Sequence, residues 1–262
     1  MENIKTISLV VPTYKQERTI VSNINELEKV LKELPYSFEI IVVVDGFVDK
    51  SYEFLKKLRR SHLKILGYED NRGKGFAVRF GMLQAKGDII GFIDGGMDID
   101  PTSILMLVNH FIWYDADIVI GSKLHPVSQV DYPFIRKVLS WGYRTMIRVM
   151  FGLKVRDTQV GLKLFKKEVV MDVFPRLLVK RFAFDIEILA VAYARGFRRI
   201  YEGPVKLVFG SSSSITAGHW SSVLSENFWS AILHMLWDTS AVFYRLNILD
   251  YYDKQRSMIE KR

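Results

Sequence analysis

Three consecutive segments near the start of the chain fix the fold class. Ile7-Ser8-Leu9-Val10-Val11-Pro12 is an apolar, β-branched run stopped by proline, and 22–34 carries Ile24, Leu27, Val30, Leu31 and Leu34 at helical spacing. Phe38-Glu39-Ile40-Ile41-Val42-Val43-Val44 is then a second buried run, ending at Asp45-Gly46. Strand, helix and strand so closely connected form a parallel βαβ unit with a right-handed crossover. The cycle continues with a helix over 52–60, a strand over 63–66, a helix over 75–85 and a strand over 88–93. The sequence therefore predicts an α/β fold, Rossmann-like in its first half, with a mostly parallel sheet flanked by helices.

The strand over 88–93 runs into Asp94-Gly95-Gly96-Met97-Asp98-Ile99-Asp100-Pro101, three acids along a glycine-bearing turn. The carboxyl edge of a parallel sheet is where ligands bind, and carboxylates there suit a hard divalent cation. Asp and Gly are also ordinary turn formers, and Asp100-Pro101 can simply open a helix. On these residues alone the two readings stand level.

Asn71-Arg72-Gly73-Lys74-Gly75 precedes a predicted helix. It lacks the third glycine of the dinucleotide fingerprint, and no glycine stands five positions before Gly73 as a P-loop requires. Glycines flanking Lys74 at a helix entry can still present N–H groups and a cation to phosphate. A plain helix-entry loop is the competing reading. The formal net charge of +8 points to an anionic partner, whether nucleic acid, phosphorylated substrate or acidic membrane surface. With no cysteine, disulfides and thiolate metal sites are excluded. The first residues carry no signal-peptide pattern and no uninterrupted apolar run reaches spanning length, so a cytosolic location is expected, with peripheral association to the cytoplasmic side of a membrane left open.

Taken in order, Val11-Pro12-Thr13-Tyr14, Val44-Asp45-Gly46-Phe47-Val48-Asp49, Asn71-Arg72-Gly73-Lys74-Gly75 and Phe92-Ile93-Asp94 followed by Pro101 resemble the inverting glycosyltransferases of the GT-A fold grouped as family 2. The resemblance spans about residues 6–210. Further on, Gly121-Ser122-Lys123, Arg136 with Ser140, Arg156-Asp157-Thr158-Gln159-Val160-Gly161-Leu162-Lys163-Leu164-Phe165, Phe182-Ala183-Phe184-Asp185-Ile186-Glu187 and Glu202-Gly203-Pro204-Val205 are similar to enzymes that glycosylate a polyprenyl phosphate. The Asp-Thr-Gln form is closer to dolichyl-phosphate glucosyltransferases than to dolichyl-phosphate mannose synthases.

That resemblance implies a nucleotide-sugar donor, UDP-linked, and a polyprenyl or dolichyl phosphate acceptor at a membrane surface. Nucleic acid has no part in it. Pro12, Thr13, Tyr14, Glu17, Asp45 and Lys74 are implied at the nucleotide, and Lys123, Arg136 and Ser140 at the acceptor's phosphate. Asp94, Asp98, Asp157, Gln159 and Asp185 are implied in catalysis, with Asp94 and Asp98 holding a divalent metal, Mg2+ or Mn2+. A GDP-mannose-dependent synthase and a degenerate nucleotide-sugar-binding or membrane-docking protein are the alternatives.

The chain departs from the pattern at several points. The usual Asp-x-Asp is Asp94-Gly95-Gly96, which leaves Asp98 to substitute for the second acid. Lys15-Gln16 replaces Asn-Glu, with Glu17 displaced by one, and Val44 replaces the first acid of an Asp-Asp pair. Gly210-Ser211-Ser212-Ser213-Ser214 replaces a late Gly-Ser-Lys element.

Aromatic and basic residues interleave over 132–144 and continue through Met146, Ile147, Val149 and Met150, which suits either an interfacial helix or a core helix with one basic face. Beyond Phe209 a serine-rich loop containing Gly218 and ending at His219 leads to an amphipathic pattern over 220–246, with Trp229, Leu233, Leu236 and Trp237 at helical spacings. Glu226 and Asp238 argue against a bilayer span there. The expected organisation is a glycosyltransferase domain over 1–210 and, over 211–262, a helical appendage facing membrane or acceptor.

Overall fold

The computed structural model describes residues 4–124, 134–179, 183–208 and 226–253, with the backbone alone over 134–140 and 226–232. Among these, seven strands form one sheet: β1 (Thr6–Thr13), β2 (Ser37–Asp45), β3 (Leu63–Tyr68), β4 (Ile89–Ile93), β5 (Ile118–Ser122), β6 (Leu162–Lys166) and β7 (Ile200–Pro204). Their order is β3-β2-β1-β4-β6-β5-β7. β6 runs antiparallel to β4 and β5, and the other neighbours are parallel.

The helices divide between the two faces as period-two alternation in the strands requires. Leu9, Val11 and Val42 point to the face covered by α1 (Ile20–Leu31), α2 (Ser51–Lys56) and α4 (Ser103–Trp113). Val10, Ile41, Val43 and Phe92 point to the opposite face. There they meet α3 (Lys74–Met82), α5 (Phe134–Phe151), α6 (Lys167–Val173), α7 (Phe184–Ala194) and α8 (Glu226–Asn247). Val242 of α8 and Tyr252 beyond it are fully part of that second core.

Three helices end earlier than their apolar periodicity suggests, for one physical reason. α1 stops at Leu31, α2 at Lys56 and α3 at Met82, and each chain then tightens through i→i−3 bonds. Leu34 N–H donates to Leu31 O (3.2 Å), Leu58 N–H to Leu55 O (2.9 Å) and Ala85 N–H to Met82 O (3.2 Å). Such closing turns keep apolar residues inward while leaving the α-helical ladder, so periodicity overruns the helix. β3 in turn extends two residues past the expected 63–66, pairing Asp45 with Tyr68.

α1 is tied to the approach to β3 through Glu28, which receives Lys32 Nζ (2.6 Å), His62 Nε2 (3.3 Å) and the Arg60 guanidinium. Burial works against this carboxylate, but the Lys32, His62 and Arg60 contacts outweigh it and hold its pKa at about 2. Its folded pKa lies below the unfolded value of 4.5, so the stabilisation is whole above pH 4.5 and drains away as pH falls towards 2. Glu28→Gln is expected to remove on the order of 2–3 kcal/mol at neutral pH and to flatten that acid limb, as read by urea denaturation across pH.

Candidate active site

β4 is buried along its whole length and delivers Asp94 to the carboxyl edge of the sheet, between β1 and β6. The Asp94 N–H donates to the Gly161 carbonyl at 2.9 Å, so the turn after β4 is fastened to the residue before β6. A Cβ on Gly161 would lie 2.0 Å from Asp94 Oδ2, so only glycine lets the carboxylate rest there. The Lys74 ammonium, at the first residue of α3, sits 2.7 Å from Oδ1 and 3.0 Å from Oδ2 of Asp94. Burial opposes the Lys74 charge, yet the Asp94 and Asp185 carboxylates hold its pKa above the ordinary lysine range.

Lys74 is aimed by the loop before it. The buried Asp45 carboxylate accepts the N–H groups of Arg72 (2.7 Å) and Gly73 (3.0 Å) and the Asn71 side-chain amide (3.1 Å). Gly73, at φ 92°, takes the left-handed conformation that turns the chain into α3. Asp45 therefore builds the loop as well as lining the cleft.

That cleft, of about 380 Å3, is lined by Pro12, Thr13, Tyr14 and Asp45 from the first two strands, Lys74 from α3 and Asp94 with its two glycines from the β4 turn. Six residues expected from sequence thus converge. Glu17 does not line it: its carboxylate accepts the Lys50 N–H (3.1 Å) and its N–H donates to Asp49 (3.0 Å), a brace between two loops. Asp98 is half-buried, four residues past Asp94, and also outside the lining. Gln16, missed by sequence reasoning, lines it and grips the turn. Oriented to satisfy the network, its amide donates to Gly95 O and accepts from Gly96 N–H, both at 2.8 Å. Asn23 Nδ2 adds a third bond, to Gly95 O at 2.8 Å. An amide grip thus holds the backbone where an Asp-x-Asp would carry its second acid.

The second group of expected residues gathers around β6. The Lys123 N–H, just past β5, donates to Asp157 Oδ2 (2.9 Å), while Glu202 of β7 accepts the N–H groups of Arg156 and Asp157, each at 2.9 Å. Burial, chiefly, pushes the Asp157 carboxyl above its usual range; Lys123 and Lys163 pull against that and Glu202 adds to it. Asp185, in the first turn of α7, pairs with Lys163, whose side chain is entirely buried and also donates to Val160 O at 2.7 Å. Lys163 is the main residue the sequence did not single out. Gln159 is exposed and donates to Met235 Sδ of α8 at 3.1 Å. The backbone of Arg136 and Ser140 falls in α5, but their side chains lie outside the described set, as do Phe182, Gly210 to Ser214 and His219.

The β4 turn is therefore one cation and one carboxylate at the mouth of a cleft, joined through Gly161 to a buried Lys–Asp pair. Such an edge can seat a diphosphate against Lys74 and present its far side to the β6 loop.

The model of a family described as "Glycosyl transferase family 2" matches residues 8–174. A dolichyl-phosphate beta-glucosyltransferase of Drosophila melanogaster is 33% identical over 202 residues, covering 71% of this chain and 62% of that protein. Proteins of the same name from Dictyostelium discoideum and Homo sapiens are 31% and 30% identical, covering 71% and 72% of this chain and 62% and 63% of theirs. The chain thus spans somewhat less than two thirds of these relatives. Among solved structures, glucosyl-3-phosphoglycerate synthase of Mycobacterium tuberculosis in complex with UDP superposes with a TM-score of 0.64 at 16% identity, over 92% of this chain and 79% of that one. The same enzyme with Mn2+, UDP and glucosyl-3-phosphoglycerate gives 0.61 at 17%, with the same coverage. At these identities the structures establish a shared GT-A fold. With the family model covering more than half of its residues, the chain belongs to glycosyltransferase family 2.

Proposed function

We propose that the chain transfers glucose from UDP-glucose to a dolichyl or polyprenyl phosphate, with inversion, at the cytoplasmic face of a membrane. The observation that carries this reading is the junction at Asp94, where the cleft of the first half touches the Gly161 loop of the second through a backbone bond. Donor and acceptor elements of one transfer have to meet at such a point. The dolichyl-phosphate beta-glucosyltransferases at about 30% identity support the glucose donor and lipid acceptor, and the UDP complexes of the structural neighbours support uridine.

On this reading an oxygen of the acceptor phosphate attacks the anomeric carbon as the bond to the departing diphosphate breaks, and the leaving group keeps the electron pair. The phosphate is already anionic near neutral pH, so no strongly shifted base is needed. Lys74, held cationic by Asp94 and Asp185, lies where charge grows on the leaving group. Lys123, Arg136 and Ser140 receive the acceptor's phosphate. Asp157, fixed by Glu202, together with Gln159 and Asp185, orders the loop between the two ligands.

A hard divalent cation fits the donors present. Mg2+ keeps waters and substrate phosphates as ligands and asks the protein for only one or two carboxylates. Asp94 at the cleft and Asp98 beyond it meet that demand, although no three His, Asp or Glu side chains converge among the described residues. Bound there, Mg2+ or Mn2+ would neutralise developing negative charge on the diphosphate. The expected outcome with labelled UDP-glucose and dolichyl phosphate is organic-extractable product that chelator abolishes and metal restores. Asp98→Ala should raise the metal concentration for half-maximal UDP binding by about tenfold, roughly 1.4 kcal/mol. Unchanged metal dependence in a calorimetric titration would remove Asp98 from the site.

Membrane contact is supported by the outer face of α8, which is α-helical through 226–247 and anchored inward at Val242. Leu233, Trp237 and Tyr244 recur on one side, each between 49% and 76% exposed. No helix among the described residues is long and apolar enough to cross a membrane. An exposed aliphatic and aromatic stripe on a helix whose other side is core suits the interfacial plane. We assign 1–210 to the transferase domain and 211–262 to its membrane- or acceptor-facing appendage.

A further inference from the structure

A second cleft, of about 320 Å3 and separate from the one at Asp94, lies where the last turns of α5 meet residues 153–156. Four cations line it, Arg144, Arg148, Lys154 and Arg156, and no carboxylate among the described residues does. Arg148, Lys154 and Arg156 make no side-chain ion pair with any described residue. The floor is rigid: Leu153 is buried in the core, Gly152 N–H closes α5 onto Arg148 O at 2.9 Å, and the Arg156 N–H is held by Glu202. A helix C-terminus favours a cation or two in its last turn. It does not account for four around one concavity, three of them without a counter-ion among the described residues.

The rim is apolar. Trp141 is 66% exposed at the cleft and Val149, on the same helix, is 79% exposed. A cluster of cations around a pocket calls for an anion; an exposed indole beside them calls for a surface with hydrocarbon beneath its charge. A soluble phosphate would use only the first feature. Arg136 and Ser140, implied at the acceptor's phosphate, lie on the same helix, and at 1.5 Å per residue Arg148 is roughly 12 Å further along than Ser140.

We propose that this cleft seats the phosphate of an anionic phospholipid headgroup, so that α5 lies along the bilayer surface with the acceptor-phosphate end of the helix at the same level. The inference rests on the lipid-phosphate reading only for the purpose of that orientation. The binding itself is tested without donor or acceptor.

The test is co-sedimentation of the full chain with vesicles of phosphatidylcholine, with and without phosphatidylserine. Wild type is expected to favour the anionic vesicles, and Arg148→Gln/Lys154→Gln to lose about thirtyfold of that preference, two exposed cations at a factor of about five to six each. Transfer to a short-chain acceptor phosphate in detergent should be unchanged in the double variant, which separates the headgroup site from the transferase. Equal binding of wild type to both vesicles, or an undiminished preference in the variant, would each overturn the proposal.

Discussion

Asp94→Asn is expected to lower kcat/KM for the proposed glucosyl transfer by about a thousandfold while moving the melting temperature by no more than a degree or two. The two halves of that expectation have different sources. Asp94 and Lys74 are each about 40% exposed, so their ion pair is water-screened and contributes little to folding. The turn is held by the Asp94 N–H to Gly161 O and by the Gln16 and Asn23 amides on Gly95 and Gly96, all of which asparagine keeps. What asparagine loses is the charge. Without it Lys74 has one carboxylate fewer to hold its ammonium in place, and the metal proposed at Asp94 would lose its ligand in the cleft. Removing a single well-placed electrostatic partner from a charge-developing transition state costs roughly two to three orders of magnitude. Steady-state kinetics beside a thermal melt checks both halves. Activity within threefold of wild type would take Asp94 out of the reaction, and a large fall in melting temperature would make it a structural residue.

What the sequence made legible, and what it did not, follows from how far apart the determinants lie along the chain. The βαβ order, the strand ending at Asp94 and the glycine-flanked Lys74 were readable from local pattern and from the rule that ligands gather at the carboxyl edge of a parallel sheet, whereas Pro12, Thr13, Tyr14 and Asp45 were expected beside them through the family resemblance of their motifs; one cleft brings all six together. The reversal of β6 was not readable, since antiparallel insertion between β4 and β5 leaves no mark on an apolar run of five residues. Glu17 and Gln16 exchange importance for a similar reason. Both are polar residues after β1, and only the fold places Gln16 against the Gly95 and Gly96 backbone and turns Glu17 towards Lys50. Lys163 was hidden by its own motif. A lysine in Leu162-Lys163-Leu164-Phe165 reads as the exposed side of an alternating strand, whereas β6 is interior to the sheet and both its faces are covered.

Lys163→Met should therefore produce the largest stability loss of any single change considered, about 3–5 kcal/mol. The Lys163 ammonium has no exposure, and its partners are the Asp185 carboxylate and the Val160 carbonyl. Burial pushes its pKa below the ordinary lysine range, and Asp185, foremost among the opposing influences, pulls it back. Methionine fills the volume but strands Asp185, 7% exposed at the start of α7, as an uncompensated charge. Adding Asp185→Asn to Lys163→Met ought to recover most of the loss, because a buried ion pair is costly mainly when half of it is removed. Urea denaturation of wild type, both singles and the double closes the cycle. A single-variant cost below about 1 kcal/mol, or a double as unstable as the sum of the singles, would show the pair to be incidental. Activity separates the further role. Lys163 holds Val160, and Val160 immediately precedes the glycine that accepts from Asp94, so a double variant that folds and melts normally yet transfers more slowly than Asp185→Asn alone would place the Lys163–Val160 bond in the alignment of the two substrates.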